Sequence, residues 1–188
     1  MYSSISLLLL GDNTLVDDLR LMTSIELFLH ADYYCKHPYF SSILDTHENN
    51  PFKSLSGMVC MCVSFETIDT NLSLDELVKA EASFNSEDKK WCGFLCLLAL
   101  STVTCRNIFS HYPDFDSNVI RWSLLFNQKI EPRSPVKPVS QDLRVLFCFE
   151  GMLPSSVTFK HNHYVPLISG DVAKKRKSIS SFPKSKKH

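Results

Sequence analysis

Residues 91–104 read Trp-Cys-Gly-Phe-Leu-Cys-Leu-Leu-Ala-Leu-Ser-Thr-Val-Thr. The apolar side chains of this stretch surround the helix axis instead of lining one face. A helix that is apolar on all sides is buried in the core of a protein. The stretch therefore predicts the central helix of a globular domain, over residues 89–102.

The residues before this helix carry further helix patterns. An apolar segment covers residues 1–10 and stops at Gly11, and residues 12–34 repeat apolar side chains at steps of three and four. This periodicity predicts that one apolar face packs inward while the acidic residues face solvent. The predicted inward side chains are Leu15, Leu19, Met22, Ile25, Phe28 and Leu29, and the predicted outward ones are Asp17, Asp18 and Glu26. Ser73 and Glu76 fit a capping box that starts another helix, through about residue 83.

The residues after the central helix change to short apolar and aromatic runs bounded by turn residues. These runs predict strands at residues 107–112, 119–126, 143–149 and 164–168. Helices followed by strands are typical of the α+β class. The predicted fold is therefore a small sheet from the second half of the chain, packed against helices from the first half.

Charge separates a body from a tail. The 188 residues hold 20 Lys plus Arg and 20 Asp plus Glu. Residues 171–188 have seven basic residues against one acidic residue, a net charge of +6, which leaves −6 on residues 1–170. We therefore expect a folded domain over residues 1–170 and a disordered basic tail over residues 171–188. Nucleic-acid contact is expected from the tail only, and weakly.

The seven cysteines lie mostly in apolar stretches, and we recognise no secretory signal ahead of them. They predict reduced thiols in a nuclear or cytoplasmic protein without a membrane span. Their spacing does not fit structural zinc sites, so we expect no metal and no cofactor.

Two histidines, His161 and His163, open the last predicted strand. Alternate residues of a strand share a face, so both imidazoles are placed together. A histidine beside a thiol is the arrangement that nucleophilic cysteine catalysis needs. A pair of surface histidines in a loop is the alternative interpretation, and the residues leave both open.

Several motifs together resemble the ovarian-tumour (OTU) family of cysteine proteases. They are the apolar segment before Gly11 and residues 91–100, 108–112, 143–149 and 162–164. The resemblance spans residues 1–168 and implies an OTU-like, papain-type fold. It also implies that His163 is the catalytic histidine, with His161 as the alternative, and that Asn162 and Trp91 are orienting or groove residues.

Within that family, residues 7–12 and 105–113 are most similar to the vertnin group of OTU-like metazoan proteins, some of which are associated with mobile elements. Vertnin is described as a DNA-binding transcriptional regulator. This resemblance implies that the fold persists without proteolysis.

The OTU nucleophile turn, Asp-Gly-Asn-Cys, would stand just before Tyr2 and is absent from this sequence. We therefore expect a catalytically inactive module that binds ubiquitin or another protein, or acts as a scaffold. The alternatives are an active deubiquitinase whose cysteine segment precedes this chain, and a fragment of a vertnin-like transcriptional regulator. The basic tail additionally predicts an importin as partner, through Lys174, Lys175, Arg176 and Lys177.

Overall fold

A computed structural model of the chain describes residues 1–39, 72–87, 93–112, 126–134, 141–148 and 163–168. Helices come first along the chain and strands follow, as the sequence predicts. The helices are α1 (Tyr2–Leu9), α2 (Val16–Leu29), α3 (Ala31–Cys35), α4 (Leu74–Ser86) and α5 (Phe94–Thr104). The strands are β1 (Ile108–His111), β2 (Gln128–Ile130), β3 (Leu143–Cys148) and β4 (His163–Pro166).

The apolar start of the chain is a helix, α1, and it ends where the sequence predicts. Gly11 follows with a φ of 87°, a left-handed angle that glycine adopts without a steric penalty. Asp12 does not cap α2. Its carboxylate instead accepts hydrogen bonds from the backbone amide and the hydroxyl of Thr14, at 3.0 and 2.6 Å.

The predicted orientation of α2 is wrong. Only Leu19 among the six predicted inward residues is buried, and the other buried residues of this helix are Thr23, Ser24 and Leu27. Leu15 is half-buried and packs against the core. The remaining four, Met22, Ile25, Phe28 and Leu29, are exposed.

Glu26 is also turned inward, contrary to the prediction. Its Oε1 accepts hydrogen bonds from the Tyr34 hydroxyl and from Arg133 Nε, both at 2.9 Å. The backbone amide of Arg133 donates to Thr102 Oγ1 at 2.9 Å. These polar contacts tie α2, α3, α5 and the segment after β2 together, and they fix the rotation of α2.

The predicted capping box is confirmed at the start of α4, where the Ser73 amide donates to Glu76 Oε2 at 2.8 Å. The prediction of a buried central helix is also confirmed, because every residue from Phe94 to Ser101 in α5 is buried. The described part of this helix begins after Gly93, so the predicted start at residue 89 lies outside the described residues.

The strands form one mixed sheet in the order β2-β1-β3-β4. β1 runs antiparallel to β2 and parallel to β3, and β3 runs antiparallel to β4. The α+β prediction is confirmed, and three of the four predicted strands occur. Most of the fourth, residues 119–125, lies outside the described residues. The sequence did not predict β2, which begins at Gln128.

Candidate functional site

His163, the predicted catalytic histidine, is the first residue of β4 at one edge of the described sheet. Its Cα is the register partner of the Cα of Cys148, the last residue of β3. The antiparallel pairing thus places a cysteine position directly across from the predicted histidine position.

The first turns of α1 pack beside this strand. Ser4 Oγ donates to the carbonyl oxygen of Tyr164, the residue after His163, at 2.5 Å. The Tyr164 ring stacks on Phe147 of β3, with centroids 4.4 Å apart. Because α1 begins here, the helix start and the histidine strand are neighbours.

The other predicted site residues lie outside the described residues. They are His161, Asn162, Trp91, Lys174, Lys175, Arg176 and Lys177. Their roles, and the boundary between residues 170 and 171, therefore remain predictions.

The three cysteine side chains that the structure describes are reduced and belong mainly to the helices. Cys35 and Cys96 are buried, and Cys105 is half-buried just after α5. Burial raises the pKa of the Cys35 thiol above its usual value. Cys96 donates to the Glu81 carboxylate at 3.6 Å, a contact that uses the protonated thiol.

Glu81 is a buried carboxylate that the sequence analysis missed. It lies on α4 with no exposed surface, and its Oε1 accepts the backbone amide of Gly93 at 3.1 Å. A carboxylate at a helix start satisfies an unpaired amide and complements the positive end of the helix dipole. The only available signal was an acidic residue among the apolar positions of α4.

A cavity of about 400 Å³ lies between α3 and β2, at the edge of the described sheet away from β4. It is lined by Tyr33, His37, Pro38 and Tyr39 on one side and by residues 128–132 on the other. Burial lowers the pKa of His37, and its Nδ1 accepts the Tyr39 amide at 3.2 Å. This cavity contains none of the predicted site residues and is separate from the His163 edge.

The outward face of α2 carries five large apolar side chains, which we call the α2 stripe. The stripe consists of Leu21, Met22, Ile25, Phe28 and Leu29, between 43% and 66% exposed. Its spacing of i, i+4, i+7 and i+8 makes these residues neighbours along one side of the helix. The sequence signalled their periodicity but not the direction in which they face.

Comparison with known proteins adds a family to this geometry. The family described as "Vertnin, OTU domain" matches residues 1–148, most of the chain. The chain belongs to this family. It is 27% identical over 168 residues to vertnin of Bos taurus, Homo sapiens and Mus musculus. No solved structure matches it.

The chain matches only a small share of the length of each curated vertnin. The alignment covers 89% of this chain but 24%, 22% and 21% of the three vertnins. The chain therefore spans about a quarter or less of their length.

Within the described residues, no cluster of three or more His, Cys, Asp or Glu is arranged to hold a metal ion. In the same ranges, no helix has the length and apolar character needed to cross a membrane.

Proposed function

We propose that this vertnin-type OTU domain is a non-catalytic module that binds another protein. The α2 stripe is the observation that carries the proposal. Large contiguous apolar patches are uncommon on the surface of monomeric proteins, and where they occur they mark interaction surfaces. The opposite face of α2 is already packed against α4 and α5, so the stripe is available to a partner.

The environments of Cys35 and Cys96 support a binding role over hydrolysis at these two thiols. The reactive form of a cysteine is the thiolate, which needs a lowered pKa and an exposed position. Cys35 has a raised pKa, and Cys96 is fully buried in the central helix. Neither thiol meets these requirements.

A ubiquitin probe with a C-terminal vinyl sulfone tests the non-catalytic assignment. We expect no covalent adduct with the purified chain, and the same result for the variant His163→Ala. An adduct that forms with the parent chain and disappears in His163→Ala would establish cysteine hydrolase chemistry and refute the proposal. A known active OTU protease in the same assay controls for probe quality.

A cysteine-type deubiquitinase is the second candidate, and the packing of α1 against β4 favours it. The Ser4 to Tyr164 hydrogen bond holds the start of α1 beside the His163 position. A thiol preceding α1 would therefore be near that histidine. Translation of the genomic sequence upstream of Met1 separates the candidates, because an in-frame Asp-Gly-Asn-Cys supports the enzyme and another residue at the cysteine position supports the binding module.

A role within a vertnin-like transcriptional regulator is compatible with family membership and with the short share of the relatives that the chain spans. It requires a longer transcript that encodes a DNA-binding region. Sequencing of the transcript tests it. A regulator of this kind can use the present domain as its protein-binding module, so this candidate is compatible with the first proposal.

A further inference from the structure

We infer that the α2 stripe binds an amphipathic helix that carries Lys or Arg where its apolar face ends beside Asp17 and Asp18. The inference rests on the proposed binding function and adds the chemistry of the partner. Three observations carry it: the spacing of the stripe, its length, and the charges that bound it.

The spacing and length of the stripe fit a helical partner. The stripe from Leu21 to Leu29 covers nine residues of α2, and the eight steps between them span about 12 Å at 1.5 Å per residue. Ridges formed by residues four apart pack into the grooves of a second helix. Recognition of an amphipathic helix uses anchors at such i, i+4 and i+7 positions. A partner of two to three turns therefore covers the stripe.

Carboxylates lie beyond both ends of the stripe. Asp17 and Asp18 lie one turn before it, Asp32 lies three residues after it, and all three are exposed. Asp12 adds a further exposed carboxylate before α2, and the hydrogen bonds from Thr14 lower its pKa, so that it is ionised at neutral pH. A partner with basic residues meets net opposite charge at the end that Asp17 and Asp18 occupy, whereas Lys36 offsets Asp32 at the other end.

The neighbouring basic residues do not neutralise both ends. Arg20 lies on another side of α2, where its guanidinium donates to the carbonyl oxygens of Asn85 and Glu87 at 3.2 and 3.3 Å. Arg133 is paired with Glu26, which also contacts His30 at 3.7 Å. Lys36 is exposed one turn beyond Asp32 and offsets one charge at that end only.

The same charges disfavour a second copy of this chain as the occupant. If two α2 helices packed antiparallel with Ile25 on the symmetry axis, Leu21 would face Leu29. Asp17 and Asp18 would then lie near the residues after Leu29 of the other copy, where Asp32 and Lys36 bring no net positive charge. A parallel pair would place Asp17 and Asp18 against themselves. Like charges across an interface oppose association, so a basic partner fits better than self-association.

The test uses two synthetic helical peptides as probes. Each carries Leu at i, i+3, i+4 and i+7 on an Ala-rich helix, and they differ only in having two Lys or two Glu at each end. Fluorescence anisotropy with the full chain measures both affinities. We expect the Lys-flanked peptide to bind about tenfold more tightly than the Glu-flanked peptide, because each of several exposed ion pairs contributes a few-fold.

Variants of the chain assign the binding to the stripe and its charges. Phe28→Ser removes an apolar anchor and should weaken binding of the Lys-flanked peptide at least tenfold. Asp18→Lys should weaken it about threefold and strengthen binding of the Glu-flanked peptide. Glu131→Lys, an identical charge reversal at an exposed residue near the separate cavity, is the matched control and should change neither affinity more than twofold. Circular dichroism confirms that each variant is folded.

Five outcomes overturn the inference. Equal binding of both peptides, or equal effects of Asp18→Lys and Glu131→Lys, would show that the partner helix needs no basic residues beside its apolar face. Absence of binding at millimolar peptide would refute the helical partner. Dimerisation that Phe28→Ser abolishes, seen by sedimentation, would assign the stripe to a second copy. A gain in peptide affinity on removal of residues 171–188 would show that the basic tail of the same chain occupies the stripe. None of these results produces the ubiquitin adduct that would refute the non-catalytic function itself.

Discussion

At the scale of single residues, Glu81 joins two helices through one carboxylate. It leaves α4 pointing into the core and accepts the amide of Gly93 at the start of α5. No side chain of Gly93 can cap this helix, so the carboxylate of another helix supplies the acceptor. Sequence periodicity does not detect such a cap, because the partner is 12 residues away.

We predict that Glu81→Ala lowers the free energy of unfolding by about 3 kcal/mol. The change leaves a buried amide without this acceptor and opens a cavity. Glu81→Gln retains an acceptor oxygen and nearly the same volume, so we expect a loss of about 1 kcal/mol. Urea denaturation measures both values. Equal losses for the two variants would contradict the capping role.

Asn85 links three helices. Its Oδ1 accepts the Tyr2 hydroxyl at 2.9 Å, and its Nδ2 donates to Ser24 Oγ at 2.8 Å, which connects α4 to α1 and α2. Asn85→Leu removes both bonds and leaves the Tyr2 hydroxyl without this buried partner, so we expect a loss of about 2 kcal/mol in the free energy of unfolding. Tyr2→Phe should cost less, because the amide keeps its bond to Ser24. A chemical denaturation series with the double variant measures the coupling between them.

His37 makes stability depend on pH. Burial lowers its pKa from the usual 6.5, so the unfolded chain binds a proton at this residue more readily than the folded chain does. The free energy of unfolding therefore falls as pH drops below about 6.5. His37→Asn keeps an acceptor for the Tyr39 amide and does not titrate. We expect a shallower decline for this variant between pH 6.5 and 5 in thermal or urea melts, and identical slopes would contradict the prediction.

At the scale of elements, α2 shows which part of the fold the sequence predicts. Periodicity correctly indicated a helix, but α2 has apolar residues on two sides, and the wider apolar stripe faces outward. The buried face uses Leu19 and Leu27 together with small polar residues, Thr23 and Ser24, whose hydroxyls donate to the carbonyl oxygens of residues 19 and 20. Glu26 on this buried side pairs with Arg133, a residue 107 positions away, so local periodicity cannot reveal the contact.

The strands illustrate the same limit. β1, β3 and β4 contain runs of apolar or aromatic residues that indicate a strand locally, whereas β2 is three residues long and begins with Gln128 and Lys129. Its backbone pairs with β1, so the neighbouring strand specifies it. Within the candidate site, the position of His163 at a strand start was predictable because its motif is contiguous. The pairing of His163 with Cys148 and the approach of α1 to β4 were not predictable, because both depend on long-range packing.

The capping box of α4 gives a test at this scale. The Ser73 backbone amide and hydroxyl both contact the Glu76 carboxylate, and the hydroxyl also contacts Asp75. Asp75 and Glu76 supply negative charge at the positive end of the helix dipole. We predict that Ser73→Ala lowers the free energy of unfolding by about 1 kcal/mol. Ser83→Ala is a matched control, since this exposed serine donates only to the carbonyl oxygen of Lys79 within the same helix. A similar loss for both variants would contradict a specific capping role.

At the scale of the whole molecule, opposite charges are separated along the chain. Residues 1–170 carry −6 and residues 171–188 carry +6, so we expect receptors that bind basic segments to recognise residues 171–188. Four of its basic residues are consecutive, at positions 174–177, while three others are spread over positions 184–187. We therefore expect an importin that recognises a compact basic cluster to bind the first group.

We predict that this cluster directs nuclear import. In a tandem fluorescent-protein fusion, too large to diffuse through the nuclear pore, the full chain should accumulate in the nucleus and replacement of residues 174–177 by Ala should leave it in the cytoplasm. Replacement of Lys184, Lys186 and Lys187 by Ala is the control for charge alone, because it removes nearly as much positive charge and leaves the compact cluster intact. Microscopy of the nuclear-to-cytoplasmic ratio measures the difference. A ratio unchanged by removal of residues 171–188 would exclude the tail as an import signal, and equal effects of the two replacements would assign import to net charge instead of the cluster.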